Sequence, residues 1–252
     1  MSTPIALTNR SAEECEQNGC SFWTDGVKVY YGRNNVPLKN IDPKKTLCWK
    51  NFAFDDERFF IENQLLRNVS PVGFVVLNHA FSRTQSHIIT QSGTIKIDPS
   101  DMVQVLDEGS WYENSGDFYP KGYLRINDNI WYEVHWSDGL VKLKKVHPEH
   151  FRSLGDGVLG LDNERVYAFG KIVRGAKAQD FRKVLDSRSC GYFLSNKWLY
   201  FENEQIVPAK EEDLRFSEHE IIRELIICKG RYYRRDREIT KEQYEKWLHK
   251  ER

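Results

Sequence analysis

Residues 161–186, LDNERVYAFGKIVRGAKAQDFRKVLD, read as a strand, a tight turn, a returning strand and a short helical turn. Asp162 opens the stretch and the β-rich triplet Val166-Tyr167-Ala168 follows four residues later. Gly170-Lys171 supplies the turn, Ile172-Val173 return, and Phe181, Val184 and Leu185 close the unit. The same order recurs along the chain. In repeat 1, Asp25 precedes Val29-Tyr30-Tyr31, and Ile41-Asp42-Pro43 leads to Leu47. In repeat 2, Asp55 precedes Phe59-Phe60-Ile61, and Val69-Ser70-Pro71 leads to Phe74 and Leu77. Repeat 3 places Arg83 at the Asp position before His87-Ile88-Ile89, and Ile97-Asp98-Pro99 leads to Met102, Val105 and Leu106.

Repeat 4 has Ile126 at the Asp position and Ile130-Trp131-Tyr132 as its triplet, and Val146-His147-Pro148 leads to Phe151 and Leu154. Repeat 5 is the opening stretch, with Ala178 in place of Pro. Repeat 6 has Ser195 before Leu199-Tyr200-Phe201, and a shortened repeat 7 has Arg231-Tyr232-Tyr233 with Ile239. A central core position therefore falls at residues 30, 60, 88, 131, 167, 200 and 232, in steps of about 30 residues except across repeat 4, a spacing typical of repeat architectures. A hairpin this short is not stable alone in water. Its triplet shows apolar groups to both faces, so neighbouring copies must stack to bury them.

These features predict a mainly β fold: an elongated tandem array of six to seven β-hairpin repeats with short helical turns and a C-terminal capping helix. The expected segments are an N-terminal piece over 1–21, a continuous repeat domain over 22–239 with an insertion at 107–122, and a helix over 240–252. Ser11-Ala-Glu-Glu can cap a short helix near the start. Thr240 and Gln243 form a capping box, and Tyr244, Trp247 and Leu248 share a face that would cover the last open edge.

With 252 residues the chain is long enough to bury a real core, and its 14 Phe, 12 Tyr and 7 Trp favour strands over disorder. Basic and acidic side chains balance at 37 each, which gives no reason to expect a polyanion partner. MSTPIALTNR has no basic stretch followed by an apolar one, and no run approaches the ~18 apolar residues of a membrane span, so a cytoplasmic protein is expected. Cys15, Cys20, Cys48, Cys190 and Cys228 are irregularly spaced, which suggests reduced thiols, the alternative being an exported protein with its signal already trimmed.

Candidate chemistry is sparse. Gly155-Asp-Gly157-Val-Leu-Gly160 fits a G-x-G-x-x-G pattern, but a strand rather than a helix follows it, the reverse of a dinucleotide loop. His147-Pro-Glu-His150, with His135 nearby, offers metal ligands, yet Pro148 belongs to the repeat and a solvated turn accounts for the cluster. His219-Glu220 lacks the second histidine of a metalloprotease motif. Asp25, Asp55 and Asp162 recur at one structural position, where a carboxylate accepts turn N–H groups rather than doing catalysis. No serine or cysteine sits in a nucleophile motif. No catalytic residue, cofactor or metal is expected, nor a membrane partner.

Two surface features remain. Lys229-Gly-Arg231-Tyr-Tyr-Arg234-Arg235-Asp-Arg237 interleaves bases and aromatics, as nucleic-acid grooves do, but the tyrosines occupy core positions and the arginines read as an edge-strand face. The insertion is different, because the repeat does not need it. Trp111, Tyr112, Phe118 and Tyr119, with Glu108, Glu113 and Asp117, have the composition of a protein-contact surface suited to a basic partner.

The pattern D-x-x-x-V-Y-Y, a turn, then [AVI]-D-P-x-x-F-x-x-L resembles the DKNYY family of bacterial repeat proteins over residues 22 to 216, and to 239 with repeat 7. Asp25–Tyr31, Asp162–Ala168, Ile41-Asp42-Pro43, Ile97-Asp98-Pro99 and Val146-His147-Pro148 carry the resemblance. It implies a scaffold without a catalytic motif, of a kind encountered beside polymorphic toxins as neutralising immunity proteins. The expected function is non-catalytic: binding a bacterial toxin or effector domain and occluding its active site. The alternative is a nucleic-acid-binding or structural repeat protein without such a partner.

Overall fold

Except in repeat 1, each apolar triplet becomes the third strand of an antiparallel meander in the computed structural model, which describes residues 4–7, 20–32, 36–108, 110–114, 117–134, 139–155, 157–184, 191–216 and 225–250. In repeat 5 the strands are Arg152–Ser153, Leu159–Leu161, Val166–Ala168 and Lys171–Ile172, hydrogen-bonded in chain order. Repeats 3, 6 and 7 have the same four-stranded order. Repeats 2 and 4 have five strands, and repeat 1 has the pair Phe22–Thr24 and Val29–Tyr31, with Pro37 bridged to Tyr30. The fold is mainly β, and among the described residues none of these sheets closes into a barrel. Short 3₁₀ turns at Ala178–Asp180 and Glu211–Asp213 link the later sheets, and the chain ends in a helix, Lys241–Lys250.

The repeat is thus larger than the expected hairpin. The apolar pair following each Pro starts the next sheet: Val103–Val105 after Pro99 pairs with residues 124–126 of repeat 4. An extended triplet presents N–H and C=O groups on both sides, and a strand on each side satisfies them. Repeat 7 is not shortened, because Leu214–Phe216, Leu225–Cys228, Arg231–Arg234 and Arg237–Ile239 complete its meander.

The chain forms two units, Met1–Asp101 with repeats 1 to 3 and Met102–Arg252 with repeats 4 to 7 and the helix. Within each, the two-residue period of the triplet decides the packing. Phe60, the middle residue of its triplet, joins Phe22, Val29 and Cys48 in the core between repeats 1 and 2. Its neighbour Phe59 faces the other way, with Phe54, Val76 and Ile89 between repeats 2 and 3. In the second unit Tyr167 packs back on Tyr132 and Phe151, whereas Val166 and Ala168 pack forward on Phe193 and Tyr200. Leu199 and Phe201 pack forward again, on Ile226 and Tyr233. Both faces of each such strand are buried, which is why the triplets read as continuous apolar runs. Burying one of these large side chains stabilises the unit by about 2–3 kcal/mol.

The aspartates fix these strands as their recurrence predicts, and Asp55 and Asp162 do a second job. Asp162 Oδ1 accepts the N–H groups of Glu164 and Arg165 at 2.8 and 2.6 Å, shaping the turn before the triplet. Its Oδ2 accepts the Tyr167 hydroxyl at 3.0 Å and the N–H of His147 at 3.2 Å, in the Pro loop of the preceding repeat. Asp55 repeats the pattern, taking Glu57 and Arg58 N–H on Oδ1 and Asp42 N–H on Oδ2. Ser195 keeps only the second job: its Oγ accepts the Lys177 N–H at 2.7 Å and donates to the Lys177 carbonyl at 2.9 Å. In the Pro loops of repeats 3 and 6 an acid three residues on takes the equivalent N–H, Asp101 for Asp98 and Asp213 for Lys210. Burial pushes the Asp162 carboxyl up, but hydrogen bonds from Glu164, Arg165, His147 and Tyr167 outweigh it and hold its pKa below the ordinary aspartate value.

Several expectations need correction. The Asp position of repeat 3 is Thr84, not Arg83: Thr84 N–H donates to the His87 carbonyl as Asp162 N–H does to Arg165, and its Oγ1 accepts the N–H groups of Ser86 and His87. The matching central residue is then Ile89, and in repeat 7 it is Tyr233, each one residue beyond the expected 88 and 232. Ile5–Ala6, in the N-terminal piece set apart from the repeats, forms a strand against Leu47–Cys48 of repeat 2. Cys20 and Cys48, expected to be reduced, form a disulfide. Hairpin stacking brings these residues together across a separation of 28, which spacing alone does not reveal. Ser11–Glu14, Cys15 and Cys190 lie outside the described residues.

The terminal helix begins as expected, with reciprocal bonds from Gln243 N–H to Thr240 Oγ1 and from Thr240 N–H to Gln243 Oε1. It covers the face of the last sheet rather than its edge. Leu225, Ile227, Tyr232 and Ile239 lie on that face and meet Tyr244, Trp247 and Leu248. No helix among the described residues is long and apolar enough to cross a membrane.

Candidate partner-binding hairpin

Repeat 4 differs from the others in one strand. Where repeat 5 has Leu159–Leu161, repeat 4 has the ten-residue strand Asp117–Ile126. Its C-terminal part pairs with Val103–Val105 on one side and with Asn129–Val134 on the other, as the meander requires. Residues 117–120 pair only with Ser110–Asn114 among the described strands. The expected insertion is therefore a β-hairpin, with strands Ser110–Asn114 and Asp117–Ile126.

Its base is built into the core. Pro120, Lys121, Gly122 and Tyr123 are buried. The register shifts between Leu124↔Val105 and Lys121↔Ser110, so the strand bulges at 106–108. Asp107 fixes that bulge: its Oδ2 accepts the Tyr123 N–H at 3.1 Å and the Ser153 hydroxyl at 2.7 Å. A bulge re-aims the strands beyond it. Asp107 is the positioning residue that composition did not single out, since nothing local distinguishes it from the other insertion acids. Tyr123 and Tyr132 anchor the same base by donating to the Val158 and Gly157 carbonyls at 2.7 and 2.8 Å.

Of the seven residues named from sequence, Glu108 lies exposed in the bulge. The other six lie on the two hairpin strands, where Tyr112 is opposite Tyr119, Glu113 opposite Phe118, Trp111 opposite Pro120 and Asp117 opposite Asn114. The backbone thus collects all six on one ribbon. Successive register positions of such a ribbon alternate between its two faces, so Tyr112↔Tyr119 falls on one and Trp111↔Pro120 and Glu113↔Phe118 on the other.

The other candidates have structural roles in the described residues. Gly160 admits the Phe151 ring, since a Cβ there would stand 2.4 Å from Phe151 Cζ. The glycine-rich segment lies between the strands Arg152–Ser153 and Leu159–Leu161, with no helix after it. His147 Nε2 lies 3.8 Å from Glu164, and Glu149 lies within 4.0 Å of both His147 and His150, all on the surface. Among the described residues no group of three or more His, Cys, Asp or Glu is arranged to hold a metal. His135 and His219-Glu220 lie outside them.

In the basic segment Tyr233 is buried and Tyr232 packs on Tyr244. Arg231 and Arg234 belong to an interior strand, and Arg237 to the edge. Arg234 stacks on Trp247 at 3.5 Å, and Arg231 pairs with Glu238. Lys229 reaches Asp213 and the Pro208 carbonyl.

Among comparisons with known proteins, the family model described as "DKNYY family" matches residues 22–204. No curated protein and no solved structure matches the chain.

Proposed function

The chain belongs to the DKNYY family, and on that footing we propose that it is a non-catalytic protein-binding scaffold, an immunity protein that neutralises a bacterial toxin or effector domain by occluding its active site. The observation that supports this most is the hairpin over residues 110–121, whose outer residues pair with no other described strand yet carry Trp111, Tyr112, Phe118 and Tyr119. Large aromatics in a segment the fold does not require are the usual anchors of a protein contact. Glu108, Glu113 and Asp117 beside them suit a basic surface. Occlusion of an active site needs roughly 1,600 Å² of total buried area, so the hairpin would be the centre of the contact and neighbouring repeat edges its rim. The absence of a signal pattern and the cysteine spacing pointed to the cytoplasm, whereas the Cys20–Cys48 bond argues for an oxidising compartment.

The test is capture of partners from the native cell at moderate salt, with the wild-type chain and with Trp111→Ala/Tyr112→Ala/Phe118→Ala side by side. One stoichiometric protein partner is expected, bound at least about tenfold more weakly by the triple variant and inhibited by the wild type. Unchanged affinity in the variant rules out the hairpin as the site. Capture of RNA alone, lost steeply as salt rises, moves the function to the basic C-terminal segment.

A further inference from the structure

Repeat 1 is the only repeat whose described sheet has two strands, and it is the only one tied to its neighbour by a covalent bond among the described residues. A two-stranded hairpin is marginal in water. Phe22 and Val29 pack on Phe60 of repeat 2, and backbone and side-chain bonds add to this at one end, where the Ser21 N–H donates to the Lys50 carbonyl at 3.0 Å and the Ser21 hydroxyl to Asn51 Oδ1 at 2.9 Å. Cys20 and Cys48 join at that end, with Cα atoms 6.4 Å apart, inside the range a disulfide spans without moving the backbone. Cys48 also pairs with Ile5, so the bond lies where the N-terminal strand, repeat 1 and repeat 2 converge. Asp25 gives no fastening to another repeat: its Oδ1 accepts Val27 and Lys28 N–H, and its Oδ2 accepts the Tyr30 hydroxyl of its own hairpin.

We propose that the Cys20–Cys48 disulfide is a redox latch that docks repeat 1 onto repeat 2, and that the first unit is complete only where thiols are oxidised. The two thiols lose two protons and two electrons to a disulfide donor, glutathione disulfide or a thiol–disulfide oxidoreductase. One S–S bond forms in the protein, and the donor's S–S bond is reduced to two thiols. Both half-cystines are buried among Leu7, Phe22, Leu38 and Phe60, so the latch closes during folding and then resists small reductants. Without the bond the sulfurs still pack as small apolar groups. Loss of the latch therefore loosens repeat 1 and leaves the other repeats intact.

The experiment uses the full chain refolded with glutathione disulfide, mapped by mass spectrometry without reduction, and then followed by amide hydrogen exchange. The same exchange is measured on the chain kept reduced and on Cys20→Ala/Cys48→Ala. The expected map contains a peptide pair joined through Cys20 and Cys48 and lighter by two hydrogens. Exchange over 22–31 should accelerate on the order of a hundred-fold without the bond, from loop-closure entropy, while the strands of repeat 5 stay unchanged. The reduced wild type keeps both sulfurs in the core and so separates loss of the bond from loss of packing. Two alkylatable thiols after refolding would overturn the proposal, and so would equal exchange over 22–31 with and without the bond.

Discussion

Repeats 4 and 5 contain the same sheet with different amounts of chain. In repeat 5 a second strand of three residues, Leu159–Leu161, is enough to pair on both sides and to bury both faces. In repeat 4 the equivalent strand runs for ten residues, and the meander uses only its C-terminal part. The bulge held by Asp107 lets the surplus continue as a ribbon without breaking the sheet below it. The meander therefore needs only two or three paired residues in this strand, as Ser82–Arg83 of repeat 3 also shows, and the sheet does not need the residues beyond them.

The comparison breaks if the regular repeat proves dispensable, so the largest effect is expected in repeat 5. Asp162→Ala would leave the N–H groups of Glu164, Arg165 and His147 and the Tyr167 hydroxyl without their acceptor, and should cost about 3 kcal/mol in denaturant melts. The same carboxylate predicts an acid limb. Its folded pKa lies below the unfolded value of about 3.9, so its contribution is complete above that pH and is lost as pH falls through the folded value. Asp162→Asn should flatten that limb, and an unchanged limb would remove Asp162 from the account.

A smaller effect, about 2 kcal/mol, is expected for Gly160→Ala, because the new Cβ meets the Phe151 ring and must displace it. A neutral result would mean that the contact between repeats is looser than its geometry. The smallest effect belongs to repeat 4. Trp111→Ala/Tyr112→Ala/Phe118→Ala should change stability by less than about 1 kcal/mol. A loss like that of Asp162→Ala would place the hairpin in the core and end the contrast between the two repeats.

Much of the fold was legible from local patterns. The triplets, the recurring aspartates and the Thr240–Gln243 box each act within a few residues, through backbone bonds whose donors and acceptors are near in sequence. What escaped was mostly non-local, with one local exception. Thr84 was misplaced by one residue because its role is defined by a hydrogen bond across the turn, not by distance from an apolar side chain. At the candidate site, composition marked the aromatics, while the hairpin register and Asp107, which links the bulge to Ser153, required the pairing of strands.

The identity of the repeat, its spacing and the both-faced triplets follow from the amino acids in order, because side-chain alternation and turn chemistry are properties of neighbouring residues. The second job of the aspartates, the meeting of Cys20 with Cys48 and the helix covering a face rather than an edge follow from stacking. Stacking matches whole surfaces from separated parts of the chain, so no local stretch of sequence encodes it.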